Sequence, residues 1–265
     1  MNQWCFSRQA LELHSPSRSY DLSEQRVTVV LTYCSYLRQL GSKLRLHHLT
    51  IVKATMFCHR FFARQSFAKN DWYTVATACI FLAGKVEDSQ RRLKDVVNVA
   101  FGNEIQHHIV NQMVRSTINP LDMRERDEFC REKGRVFKDQ KRKLIIAAKR
   151  LVLKTMQFDL DVQLPYKTLI AALRRLSEEK ITAWSLVEEL LRTLLCLQYK
   201  PQYIAVGSVA VAASILKLKL PASDKWLEGL DVSPKELNDR EVIQKIQSKL
   251  CRVKTKEVIG SVSSC

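Results

Sequence analysis

Two stretches of this sequence, VATACIFLAGK at 75–85 and IAVGSVAVAAS at 204–214, repeat one spacing of small and branched residues. In the first, Val75, Cys79, Leu82 and Val86 form one helical stripe, and Ala76, Ile80 and Ala83 form the next. A third line, Thr74, Ala78, Phe81 and Lys85, carries a phenylalanine and a lysine on one face. A helix apolar nearly all round has no solvent side, so other elements must pack around it. Two such helices in one chain call for two surrounding bundles. The elements around them are expected to be helices too. Only 7 glycines and 6 prolines interrupt 265 residues, against roughly 19 and 13 at average usage. The fold class expected is all-α.

Periodicity places a helix over 25–40, with Val29, Val30, Tyr33, Tyr36, Leu37 and Leu40 on one face and Gly41 ending it. The next runs from Thr50, read as its N-cap, to Arg64. Asp71 is placed to cap 72–86, and a fourth helix covers about 92–101. The second central segment likewise follows an amphipathic helix, 185–198, and Pro165 opens the second bundle. The domains expected are an N-terminal segment at 1–20, a first bundle at 21–160, a second at 161–252 and a tail at 253–265. The polar stretch 102–138 reads as a loop, inserted in the first bundle at about 102–135.

Charge and chemistry narrow the function. The formal net charge is +16, which suits an acidic partner. Nine Lys or Arg between Lys133 and Lys154 face one acid, Asp139. Apart from Phe137, no Tyr or Phe is interleaved there as a base-stacking platform, so nucleic acid enters only as a secondary partner. The run KDQKRK at 138–143 reads either as a nuclear import signal or as a solvated helix face. The 8 cysteines are scattered without C-x-x-C spacing, which points to reduced thiols rather than zinc or a disulfide framework. His59, within FCHRFF, reads as a packed helix residue, and the adjacent His107 and His108 make a poor metal pair. There is no apolar leader at the N-terminus, and 204–216 is too short to span a bilayer. No Ser–His–Asp set, P-loop or paired-carboxylate site is present, so neither an enzyme nor a cofactor is expected.

Longer motifs carry a resemblance. WCFSRQALELHSPSR at 4–18, LTIVKATMFCHRFFARQSFAKND at 49–71 and VATACIFLAGKVED at 75–88 resemble the first cyclin box of T/K-type transcriptional cyclins. FDLDVQLPYKTLI at 158–170, LRTLLCLQYKPQYIA at 191–205 and LKLKLP at 216–221 resemble the second half of such proteins, most closely the plant-type cyclin T.

The resemblance implies two tandem five-helix cyclin boxes, a nuclear location and no catalytic activity. It implies binding to a cyclin-dependent kinase of the transcription-elongation type, which phosphorylates the C-terminal repeats of RNA polymerase II. It also assigns a kinase-binding site. Lys85 would bond backbone carbonyls near the kinase C-helix, with Phe81 on its face and Glu87 after it. On residue type alone, Lys85 is also a cation well placed at a helix C-terminus, worth about 0.3–1 kcal/mol. Leu153, Phe158 and Leu160 would add apolar contacts, with core packing as their alternative role. In the family, a glutamate nine residues before the phenylalanine of the F-D-L motif partners the lysine; here that position is Lys149. Loss of the acid implies a weakened complex. The rival reading is a cyclin-box protein that binds DNA directly, as general transcription factor IIB does.

Overall fold

The structure, a computed structural model, describes residues 3–13, 16, 23–102, 123–175, 180–217 and 227–232. No strand occurs among them. The contacts divide the chain into one unit of Ser15–Leu160 and a second that joins Asp161–Cys265 to Met1–His14.

The N-terminal helix α1 (Arg8–Leu13) belongs to the second unit. In the first unit, α2 (Ser23–Lys43), α3 (His48–Arg64) and α6 (Met123–Thr155) all pack against α4 (Trp72–Val86). The short helix α5 covers 93–102, at the edge of the described residues. Every residue of α4 from Val75 to Gly84 is buried, as its all-round apolar sequence requires. Asp71 caps it, accepting from the backbone N–H groups of Tyr73 and Thr74 at 3.4 and 3.0 Å. Tyr73 of α4 donates its hydroxyl to the Ala100 carbonyl of α5. His59 is fully buried, and its Nδ1 lies 2.5 Å from the Tyr33 hydroxyl, so it is a packed core histidine. Burial, and then the neighbouring Cys79 thiol, pushes the Cys58 thiol up. Cys5, Cys34, Cys58, Cys79 and Cys196 form no disulfide.

Gly41 does not end α2, which continues to Lys43. A Cβ at Gly41 would lie 2.5 Å from Ile51 Cγ1, so the glycine permits close approach of α2 and α3. Thr50 is not the N-cap of α3; His47 is, without a side-chain bond. Thr50 is buried instead, with its hydroxyl 2.9 Å from that of Ser89. Residues 123–138 are not a loop but the start of the 33-residue helix α6, since Arg, Glu and Lys are good helix formers and one glycine, Gly134, is tolerated. The insertion's remaining part, 103–122 with His107 and His108, lies outside the described residues.

In the second unit, α9 (Pro201–Ile215) is the central helix, packed against α7 (Tyr166–Arg175) and α8 (Lys180–Leu191). The Pro165 carbonyl accepts from Leu169 N–H at 2.9 Å, so the proline stands at the threshold of α7. The helix expected over 185–198 is broken. α8 ends at Leu191, and Thr193 caps a separate 3-10 turn, Leu194–Leu197, through a 3.3 Å bond from Leu195 N–H. The N-terminal segment docks on this turn: Phe6 N–H donates to the Leu197 carbonyl at 2.8 Å, and Trp4 and Leu11 are buried. Five helices of a second box cannot be counted among the described residues, which end at 232.

Candidate partner-binding site

At the C-terminal end of α4 the helix turns from fully buried to exposed within one residue, Gly84 to Lys85. Phe81, one turn earlier, is 8% exposed, and the Lys85 ammonium lies 5.0 Å from its ring centroid. This cation–π contact, worth about 0.5–1 kcal/mol at an exposed site, is what holds the lysine. Glu87 does not serve Lys85. It is the C-cap residue of α4 and pairs with Lys53 of α3, both side chains being largely covered. Ser89 N–H reaches back to the Gly84 carbonyl at 3.0 Å, with Asp88 at a φ of 48° between them. Arg91 then closes the loop, donating to the Leu44 and Arg45 carbonyls at 2.9 and 2.8 Å. Lys85 therefore stands on a turn pinned to α3 and to the loop between α2 and α3.

The second part of the site is the end of α6. Lys149 is half-buried and makes no hydrogen bond or ion pair among the described residues. Leu153 is half-buried, and its carbonyl accepts from Phe158 N–H at 3.0 Å in a Schellman turn. Such turns favour glycine, yet here Gln157 and Phe158 both take positive φ, 54° and 59°. A side chain in that region costs roughly 1–2 kcal/mol. The turn throws Phe158 outward, 71% exposed, so its core-packing role is ruled out; Leu160 is half-buried.

Two arginines of α3 hold this strained turn in place. Arg60, 5% exposed, donates to the Asp159 carbonyl at 3.2 Å and lies 3.9 Å from its carboxylate. Arg64 donates to the Thr155 carbonyl at 3.2 Å. The sequence reading missed Arg60, Arg64, Lys53 and Arg91. The available signal was two arginines four apart bracketing the apolar Phe61, Phe62 and Ala63, because a buried cation requires a partner.

The second unit does not duplicate the site. In the repeated pattern Ser214 stands where Lys85 does and Ala210 where Phe81 does. No helix of the described residues is long and apolar enough to cross a membrane, and no three metal-ligating side chains gather among them.

The cyclin N-terminal domain family matches residues 4–161, more than half of the sequence. The chain belongs to the cyclin family. Plant T-type cyclins are among its relatives. Cyclin-T1-2 of Oryza sativa subsp. japonica is 41% identical over 89% of this chain and 36% of its own length. Cyclin-T1-3 of Arabidopsis thaliana is 36% identical over 92% of this chain and 73% of its own. Among solved structures, a chain of the yeast RNA Pol II CTD kinase CTDK-1 complex shares the fold, with a TM-score of 0.68 at 17% identity. That likeness covers 92% of this chain and 72% of that one. The chain spans 36% to 42% of the length of three of the plant relatives.

Proposed function

We propose that this cyclin is the non-catalytic regulatory subunit of a nuclear cyclin-dependent kinase that acts on RNA polymerase II during elongation. The observation that carries the reading is the display of Lys85 over Phe81 on a pinned turn, together with an outward Phe158 on a strained one. An exposed aromatic held at positive φ contributes little to the unit's own core, and strain of this kind gathers at functional sites. The kinase-binding residues are Phe81, Lys85, Glu87, Lys149, Leu153, Phe158 and Leu160, with Glu87 acting through the turn rather than by contact. The plant T-type relatives support the transcriptional class. So do two solved complexes whose chains share the fold, the yeast RNA Pol II CTD kinase CTDK-1 and the yeast TFIIK complex.

In mechanism, the cyclin binds the kinase conformation whose C-helix is turned inward better than the inactive one, and shifts the population toward it. The inward helix completes the kinase's Lys–Glu pair and the activation loop becomes ordered. The test is purification of the chain with its associated kinase, followed by titration of variants. Lys85→Glu is expected to weaken the kinase complex by about tenfold or more, whereas Lys143→Ala, on the exposed face of α6, leaves it nearly unchanged. Equal losses sink the site. Salt-dependent DNA binding with no kinase recovered favours the rival reading, which the basic α6 supports.

A further inference from the structure

The outer surface of α6 carries an apolar line that the kinase-binding residues do not use. Ile145, Val152 and Met156 are fully buried and mark the helix's inward face. Lys149 and Leu153 lie to one side of that face by helical register. Leu144 and Leu151, one register step to the other side, are 51% and 37% exposed. Between them stands the small, exposed Ala147, and one helical step before each leucine stands an exposed cation, Lys143 and Arg150. Neither cation makes a hydrogen bond or ion pair among the described residues.

We propose that this line is a docking surface for an acidic amphipathic helix. Leucines seven apart with an alanine between them form a heptad-like seam, in which a partner's apolar side chains fit beside Ala147. The flanking Lys143 and Arg150 occupy positions that select acidic residues on the partner. A second copy of this chain would bring cation against cation. Nucleic acid would satisfy the cations but leave the leucines facing phosphates. A membrane surface requires a helix free to lay its apolar side into lipid, and the broad inward face of α6 is already committed to α4.

The probe is a labelled peptide of about three heptads with leucine at a and d and glutamate at e and g. It is titrated into the full chain beside a scrambled peptide of identical composition. Binding should fall by about tenfold or more in Leu144→Ser/Leu151→Ser and, separately, in Lys143→Glu/Arg150→Glu, and should persist in Lys69→Ala, in the exposed turn before α4. Circular dichroism confirms that the variants remain folded, and the charge reversal stands on its own if the leucine variant does not. No binding, or equal binding of the scrambled peptide, overturns the proposal. So does tighter binding to a short DNA duplex, or to phosphatidylserine–phosphatidylcholine vesicles, that the leucine substitutions weaken alike.

Discussion

Replacing Phe158 separates stability from partner binding, because the residue is both strained and exposed. Phe158→Gly removes a left-handed strain of about 1–2 kcal/mol. It adds an entropic cost of about 0.5–1 kcal/mol in the unfolded chain. The ring is 71% exposed, so less than a third of its burial free energy is lost, about 0.5–1 kcal/mol. These terms nearly cancel, and the variant should unfold within about 1 kcal/mol of the native chain. Phe158→Ala loses the same ring but keeps the strain, so it should be less stable than the glycine variant by roughly 0.5–1 kcal/mol. Elsewhere in a helix or strand glycine is the worse residue, which makes this inverted order diagnostic.

Urea unfolding of the three proteins measures the differences directly. Titration with the kinase gives the other half: both substitutions should cost on the order of 2 kcal/mol, roughly 30-fold in affinity, as expected for an aromatic anchor. A loss of 3 kcal/mol or more of stability in the glycine variant would mean that the ring is core. Unchanged affinity in both variants would remove Phe158 from the interface.

Lys149→Glu should tighten the kinase complex about tenfold, or 1.4 kcal/mol, by restoring an acid for Lys85; in calorimetry that gain should vanish when Lys85 is alanine. Asp71→Ala should destabilise the first unit by about 0.5–2 kcal/mol, since two backbone donors of α4 lose their acceptor, and an unchanged melting curve would contradict this. Gly41→Ala should be destabilising despite alanine's better helix propensity, because its Cβ meets Ile51. Ile51→Ala should rescue it, and a stabilised single variant would refute the packing argument.

The central helices were legible because their cause is local: an apolar surface all round α4 and α9 leaves no arrangement except burial. Asp71 was legible for the same reason, since a cap needs only its own helix. Gly41 and Thr50 misled because their roles depend on residues of other elements, Ile51 against the glycine and Ser89 across from the threonine. The first half of α6 was missed because its polar sequence lacks the apolar periodicity by which helices are recognised, though its residues are good helix formers. The candidate site divides likewise. Phe158 was visible as part of a motif. Its exposure was not, because that follows from two left-handed residues and from arginines on another helix.

Those arginines bear on what the missing acid means for the proposed complex. In the first unit the geometry at the end of α6 is held by Arg60 and Arg64, so the strained turn does not depend on position 149. Lys85 does depend on its surroundings, and among the described residues only the Phe81 ring restrains it. A lysine side chain carries about 2 kcal/mol of rotamer entropy, and an exposed cation–π contact offsets only part of that. The kinase must then supply most of the ordering of Lys85 at the moment of binding, a cost of about 1 kcal/mol beyond that of a pre-oriented lysine. In the proposed complex, a lysine in place of the acid would lower affinity through Lys85 while leaving the rest of the surface intact. That complex would be weaker without losing its geometry, and its occupancy more sensitive to the concentration of the kinase.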